Sequence, residues 1–142
     1  MKFQERILID KPVTRVFKFL SNVRSHKKFS PTIKETKLIS DGSLQEGSEV
    51  FVRSFFLGRK IESNNKVTSY VPEKRIVFTS VDAPFPSEIS YSLESKGEGT
   101  EVTMVYELTP GRYFNLPEMF LKPRLGEVVN SSLSNLKQTL EG

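Results

Sequence analysis

Residues 115–141 read NLPEMFLKPRLGEVVNSSLSNLKQTLE and hold the only long apolar stripe at helical spacing in the chain. From residue 123 onward large aliphatic side chains recur three and four residues apart, which is typical of a helix that buries one face. They are Leu125, Val128, Val129, Leu133, Leu136 and Leu140. At about 1.5 Å per residue this helix would span about 28 Å, roughly the width of a small domain. The rest of the chain is expected to cover it.

The beginning of this helix is interrupted by Pro123. Inside a helix, a proline leaves the carbonyl four residues earlier, here that of Met119, without its usual donor. Residues 116–122 are therefore predicted to form either a separate short helix or a kinked entry to the long one. Asn115, with Glu118 three residues later, matches a capping pair.

The first third of the chain predicts a strand, two short helices and a second strand. Residues 2–10 alternate loosely and indicate the first strand. A helix then starts at Pro12, with apolar side chains at i, i+3, i+4 and i+7. Residues 25–31 are predicted to be a second short helix or turn, and residues 33–40 the second strand.

Residues 48–109 predict five further strands with short connections. Turns placed at 58–59, 72–75, 83–86 and 96–99 give registers that pair, for example, Val50 with Val67 and Tyr91 with Met104. All four registers put the same set on one face, and a slip of one residue would turn that set over. The predicted inner face carries Val50, Val52, Ser54, Phe56, Ile61, Ser63, Asn65, Val67, Ile76, Phe78, Ser80, Ile89, Tyr91, Leu93, Val102, Met104, Tyr106 and Leu108.

Size and composition limit the class of protein. A chain of 142 residues fits one domain, residues 1–142, and the absence of cysteine excludes disulfides and thiolate chemistry. A net charge of +4 is too small for a dedicated nucleic-acid binder. The one basic cluster, Arg24 with residues 26–28, reads as a solvated connector, the alternative being contact with an anionic membrane surface or phosphate. With no signal peptide and no apolar run near 20 residues, a cytoplasmic protein without stable membrane insertion is expected.

The order of elements and several short motifs resemble the SRPBCC superfamily, which includes the START lipid-transfer and pollen-allergen-like domains. Within it the chain is most similar to the small polyketide cyclase/dehydrase-like proteins. The motifs are residues 9–12 (IDKP) before Val16 and Phe17, Gly47, residues 71–75 (VPEKR), 83–86 (APFP), 97–103 (GEGTEVT) and 133–141 (LSNLKQTLE). The resemblance implies an α+β helix-grip fold, in which a curved antiparallel sheet of about seven strands wraps around the C-terminal helix and leaves an apolar pocket. It implies no single activity, since the superfamily spans lipid carriers, quinone binders, enzymes and chaperone activators.

The predicted inner face is more polar than a closely packed core requires. Its serines and asparagine need hydrogen-bond partners, which a wet or ligand-filled cavity would supply; the alternative is bonding to the backbone or a place near the open ends of the sheet. The hydroxyls of Tyr91 and Tyr106 would converge on a polar atom of the ligand; the alternative is that both side chains only fill the core. Met104, Met119 and Phe120 would form an adaptable apolar wall or pack in the core. The predicted ligand-binding set is Ser54, Ser63, Asn65, Val67, Phe78, Ser80, Tyr91, Leu93, Met104, Tyr106, Met119, Phe120 and Val128.

Catalytic signals are weak. Asp82 is the carboxylate that the registers keep on the inner face, across from Asn65, so Asp82, Tyr91 and Tyr106 are the candidates for acid and base chemistry. A turn carboxylate in water is the alternative for Asp82. The only histidine, His26, falls in the basic connector with no partner, and no metal or cofactor motif is present.

The prediction is a module that binds a hydrophobic or amphipathic small molecule, such as a lipid, quinone or polyketide, without a metal or cofactor. One alternative is a cofactor-free cyclase or dehydratase, and the other is a protein-interaction module of the chaperone-activator type. The outer face carries Phe51, Phe55 and Leu57, which either a second subunit of a homodimer or the first strand would cover.

Overall fold

One antiparallel sheet of seven strands curls around the C-terminal helix in the computed structural model, which describes residues 1–142. The elements are β1 (Lys2–Ile9), α1 (Val13–Ser21), a 3-10 turn (Val23–Ser25), α2 (His26–Phe29), β2 (Ile33–Leu38), β3 (Glu49–Phe56), β4 (Arg59–Val71), β5 (Arg75–Asp82), β6 (Ser87–Lys96), β7 (Gly99–Leu108) and α3 (Glu118–Glu141). The strand order is β1-β7-β6-β5-β4-β3-β2, so β1 and β2 are the edges. This is the helix-grip α+β arrangement, and the predicted fold is confirmed.

The C-terminal helix α3 buries one face against β1, β7 and α2. Its buried side chains are Leu121, Leu125, Val129, Ser132, Leu133, Leu136 and Leu140. Polar contacts tie its end to the end of β1: the amide of Asp10 donates to Glu141 Oε2 at 2.7 Å, and Lys137 Nζ donates to the carbonyl of Leu8 at 2.7 Å. The predicted stripe is confirmed except for Val128, which is only half-buried.

The start of α3 differs from the prediction. The helix runs unbroken from Glu118 through Pro123, and its N-cap is Pro117, with no side-chain capping bond. The predicted capping pair is wrong because Asn115 adopts a left-handed conformation, with φ 51°, outside the helix. Pro123 removes only the donor for the carbonyl of Met119, and since that residue is 75% exposed near the solvated end of the helix, the helix continues past it.

The β3–β4 hairpin turns one residue earlier than predicted. Both turn residues, Leu57 and Gly58, have positive φ (51° and 74°), as a two-residue hairpin turn requires. Val50 therefore lies opposite Asn65 instead of Val67. Because the error is two residues, every side chain keeps its predicted face.

The strands that follow show the same pattern. Tyr91 lies opposite Met104, as predicted for β6 and β7. Between β5 and β6, however, Ile89 pairs with Phe78 instead of Ser80, again an error of two residues. The inner face is thus preserved although the pairing is shifted.

Two irregularities in the pairing of β4 with β5 were not predicted. The register shifts between Val67 and Ser69, which brings Tyr70 to the inner face, where its hydroxyl lies 3.1 Å from Ser21 Oγ. It shifts again beside Asn65. Such bulges are a local backbone choice that period-two alternation does not reveal.

Two glycines differ in the space around them. A Cβ at Gly99 would lie 2.9 Å from the carbonyl oxygen of Ile9 on β1, whereas one at Gly126 in α3 would lie 3.8 Å from the Phe3 ring. We expect Gly99→Ala to lower the free energy of unfolding by about 1–3 kcal/mol, through overpacking against backbone. Gly126→Ala should raise it by about 0.5–1 kcal/mol, because alanine is the better helix former. Parallel urea titrations of the two variants give both values, and changes of the same sign would contradict the prediction.

Candidate functional site

A cavity of about 140 Å³ lies between the concave face of the sheet and α3. At about 10–15 Å³ per water, it has room for on the order of ten waters, so the sheet is not packed solidly against the helix. Of its 26 lining residues 16 are hydrophobic, and none is an aspartate, glutamate, lysine or arginine. The cavity is therefore mainly apolar and carries no permanent charge.

Most of the predicted ligand-binding residues meet in this cavity. They are Ser54, Ser63, Asn65, Phe78, Tyr91, Met104, Tyr106 and Val128. Val67 and Leu93 are buried in the main core and do not line it. Ser80, also outside the lining, accepts a hydrogen bond from the amide of Ser87 at 2.9 Å.

Met119 and Phe120 do not form a wall of the cavity. They are 75% and 57% exposed, on the solvent side of the first turn of α3. The cavity wall near this end of the helix comes instead from Phe114 and Leu125. Their assignment from sequence is wrong because it depended on hydrophobicity alone, while the angular position on α3 decides which side chains point inward.

Some polar groups of the cavity are already paired within the protein. Asn65 Nδ2 donates to Ser63 Oγ at 3.0 Å and to the carbonyl of Val50 at 3.4 Å, and Ser132 Oγ donates to the carbonyl of Val128 at 2.7 Å. Asn65 and Ser63 therefore follow the alternative raised from the sequence, in which polar groups of the inner face bond within the fold. They shape the wall and leave other groups to meet a ligand.

The two tyrosine hydroxyls have no partner in the protein. Tyr91 is 3% exposed and Tyr106 is half-buried, and they lie one register step apart on β6 and β7, as predicted. No polar side-chain atom that is sealed from solvent lacks a hydrogen-bond partner, so both hydroxyls are accessible to solvent, and both residues line the cavity. Burial raises the pKa of Tyr106 to about 12 and raises the pKa of Tyr91 as well, so both remain protonated donors at neutral pH.

His26 was not predicted to belong to the site. It is 6% exposed and lines the cavity, with its ring centroid 5.5 Å from that of Phe78 and 5.9 Å from that of Tyr91. The assignment of His26 to a solvated connector is wrong. The signal was its spacing, since Val23, His26 and Phe29 recur at intervals of three and share one buried face of the turn and α2.

The tautomer of His26 follows from its one hydrogen bond. Nε2 lies 2.8 Å from the carbonyl oxygen of Leu20, and because a carbonyl only accepts, Nε2 carries the proton. Burial lowers the pKa of His26, although the bond to Leu20 opposes this shift, so the ring is neutral. Nδ1 is left with a lone pair and no partner in the protein, and it is not sealed from solvent. Since His26 lines the cavity, we infer that Nδ1 is accessible from it.

The lowered pKa of His26 predicts a pH dependence of stability. The unfolded chain takes up a proton near pH 6.5 while the folded protein holds the ring neutral, so stability should fall as the pH drops below about 6.5. The loss is at most about 1.4 kcal/mol per pH unit and levels off below the folded-state pKa. His26→Gln keeps an amide donor for Leu20 but does not titrate. When the free energy of unfolding in urea is plotted against pH between about pH 7 and pH 5, the variant should therefore show a shallower slope than the wild-type chain.

The exposed carboxylate of Glu141 also contributes to the pH dependence of stability. The amide of Asp10 and the ammonium of Lys137 lower its pKa, so its contribution is also lost toward acid pH. Because Glu141 is present in both proteins, the difference in slope isolates His26. Identical slopes would contradict a lowered pKa for His26.

Asp82 lies outside the cavity. It pairs with Asn64, not with Asn65, and is exposed beside a shallow surface groove. The second register shift between β4 and β5 is the reason. Val81 is the extra residue on β5, and it turns the carboxylate of Asp82 to the outer face. The inner-face position predicted for Asp82 is therefore wrong, and Asp82 is not part of the cavity lining.

Neither a metal-binding cluster nor a membrane-spanning helix is found in the structure. No group of three or more histidine, cysteine, aspartate or glutamate side chains is placed to hold a metal ion. None of the helices is long and apolar enough to cross a bilayer.

Comparisons with known proteins give a consistent picture. The model of the family described as polyketide cyclase / dehydrase and lipid transport matches residues 1–141. No curated protein matches the sequence. Among solved structures, a START superfamily protein from Mycobacterium smegmatis superposes with a TM-score of 0.84 at 12% identity, covering 99% of this chain and 97% of the other.

Two other structures have the same fold. A protein from Thermus thermophilus gives a TM-score of 0.81 at 19% identity, over 99% of this chain and 97% of the other. The Zhui aromatase/cyclase from a Streptomyces species gives 0.77 at 12% identity, over 99% and 93%. At such identities the likeness concerns the fold and not the activity.

Proposed function

The chain belongs to the polyketide cyclase / dehydrase and lipid transport family, and on that premise we propose that it binds a hydrophobic or amphipathic small molecule between the sheet and α3. The observation that carries the proposal is the mixed character of the cavity. Most of its lining is apolar, yet His26, Tyr91 and Tyr106 each present a polar atom without a partner in the protein. Ligand sites combine these two features, whereas packed cores do not.

The two parts of the lining have separate roles. Burial of apolar ligand surface contributes about 25 cal/mol per Å² and supplies most of the affinity. Polar groups contribute less, but an unmet buried donor or acceptor is costly, so they select a ligand with matching groups in matching places. The proposed ligand is accordingly mostly apolar, with a few polar atoms at one end.

Native mass spectrometry of the gently purified protein tests this proposal. A mass above that of the chain, released by organic extraction as one small hydrophobic compound, is the expected result. Ejected material that is water-soluble and ionic would contradict it. If the protein is empty, titration with a panel of neutral apolar compounds decides, and failure of all of them to bind would overturn the proposal.

A second candidate function is cofactor-free cyclisation or dehydration of a polyketide-like substrate. It is supported by membership of the polyketide cyclase / dehydrase and lipid transport family and by a neutral imidazole and two protonated phenols in one cavity, which could act as base and acids. Turnover of a poly-β-ketone substrate that is lost in Tyr106→Phe but kept in Asp82→Asn would support it. Tight binding of the same compound without turnover would contradict catalysis and support small-molecule binding as the function.

A further inference from the structure

The charge of the cavity lining restricts the ligand further. All 26 lining residues are uncharged when His26 is neutral, so no side chain in the lining offers a cation to a carboxylate or phosphate. Transfer of an anionic group from water into such a site is strongly unfavourable without a paired charge. The part of the ligand that enters the cavity is therefore expected to be neutral.

The unpartnered polar atoms of the lining include Ser54 Oγ and Asn65 Oδ1 as well as those of His26 and the two tyrosines. The last three differ in the hydrogen-bond partner that each requires. The hydroxyls of Tyr91 and Tyr106 are donors that suit a carbonyl or ether oxygen. Nδ1 of His26 is an acceptor, since the single proton of the neutral ring is on Nε2 and is held by Leu20. No hydroxyl or amide of the protein donates to Nδ1, and the surrounding rings of Phe29, Phe78 and Tyr91 offer it only ring-to-ring contacts. A donor must come from the occupant of the cavity.

We propose, resting on the binding function above, that the ligand is an uncharged hydroxyl compound, of the phenol or enol type, whose O–H donates to Nδ1 of His26. The apolar body of the ligand then lies along the inner face of the sheet, and Tyr91 and Tyr106 donate to any carbonyl oxygen it carries. His26 is thereby a specificity-determining residue that selects a hydroxyl over an ether, a hydrocarbon or a carboxylate.

A purely structural role for His26 is distinguishable from this one. Holding Leu20 requires only Nε2, and glutamine can supply an equivalent amide donor. Selection of a hydroxyl requires an acceptor at the position of Nδ1, and the amide oxygen of glutamine is displaced from that position when its amide nitrogen donates to Leu20. In a folded His26→Gln variant the two roles therefore separate, because the preference for a hydroxyl is lost only if the proposal is right.

Three bicyclic probes of nearly the same shape provide the test: 2-naphthol, 2-methoxynaphthalene and the 2-naphthoate anion. Isothermal titration of the wild-type chain should show 2-naphthol binding about tenfold more tightly than the methyl ether, as expected for one hydrogen bond to an otherwise unmet acceptor. The carboxylate should bind weakest. In His26→Gln the two neutral probes should bind alike, while Lys27→Gln, a control on the exposed side of α2, should keep the tenfold ratio.

The outcomes separate this inference from the proposed function. Equal binding of the two neutral probes by the wild-type chain, or a preference that survives in His26→Gln, would overturn the role of His26 and leave small-molecule binding intact. Strongest binding by 2-naphthoate would overturn the neutral-ligand inference. No binding of either neutral probe would overturn this inference, whereas the proposed function is overturned only if the wider panel of neutral apolar compounds also fails to bind.

A second measurement covers the case in which His26→Gln fails to fold. The chain contains one histidine, so its ring nitrogen resonances are unambiguous in ¹⁵N NMR. The Nδ1 resonance should shift on addition of 2-naphthol and stay in place with the methyl ether. Binding of 2-naphthol without any change at Nδ1 would place the hydroxyl elsewhere and contradict the inference.

Discussion

Replacement of Leu136 by alanine is expected to lower the free energy of unfolding by about 3–4 kcal/mol, among the larger effects a single side chain can have. Leu136 is completely buried in the main core, where the side chains of α1 and α3 meet those of the sheet, including Val16 and Ile9. Its truncation removes apolar contact and leaves a void that close-packed neighbours fill only in part.

Urea unfolding followed by circular dichroism measures the effect. Gln138→Ala is the matched control, since it lies two residues away on the exposed side of α3 and should change stability by less than about 0.5 kcal/mol. The midpoint should move for Leu136→Ala without a change in slope, which would show that the native core, and not the unfolded chain, is affected. A loss below about 1 kcal/mol would mean that α3 is not part of the central core.

Most faces of the strands and of α3 were predictable, whereas the exact pairing was not. A period of two in the sheet and of three to four in the helix is written directly into the residue types. The turn at Leu57 is not, because a leucine with positive φ is an unfavourable choice that the surrounding hairpin imposes. The error there was two residues, and an even shift leaves the faces intact.

Register shifts by one residue, in contrast, moved side chains to the opposite face of the sheet. The register shift near Asn65 turned Asp82 to the outer face, and the one after Val67 brought Tyr70 inward. Neither leaves a trace in apolar periodicity, since a bulge inserts one residue into a strand and depends on local backbone conformation. The one acidic catalytic candidate was lost for this reason.

The functional site was predicted in part for a related reason. Ser54, Ser63 and the two tyrosines follow from strand periodicity, so their place in the cavity was accessible. His26 lies in a four-residue helix between basic residues. Such a short segment does not show enough helical periodicity to reveal a buried face, so its charged residues dominated the interpretation. The partner of His26, the carbonyl of Leu20, is a backbone atom that no side-chain pattern reports.

Obstruction of the cavity is expected to weaken ligand binding at least tenfold while the protein still folds. Val128 is half-buried on α3 and lines the cavity, so a tryptophan at this position would place its indole ring in a space of about 140 Å³. We expect Val128→Trp to reduce the affinity for 2-naphthol, or the amount of any co-purified ligand, at least tenfold, because ring and ligand cannot occupy the same volume. Overpacking should cost about 1–3 kcal/mol of stability, which a folded domain tolerates.

Asn130→Trp is the control for this obstruction. It introduces the same large ring on the same helix, but at an exposed position that does not line the cavity, and it should leave the affinity unchanged. Circular dichroism and the unfolding midpoint would establish that both variants are folded before titration. If Val128→Trp folds and binds as tightly as Asn130→Trp, the ligand does not occupy the space between the sheet and α3. Loss of binding in Val128→Trp alone would instead locate the ligand in that space, because position on α3 is the main difference between the two variants.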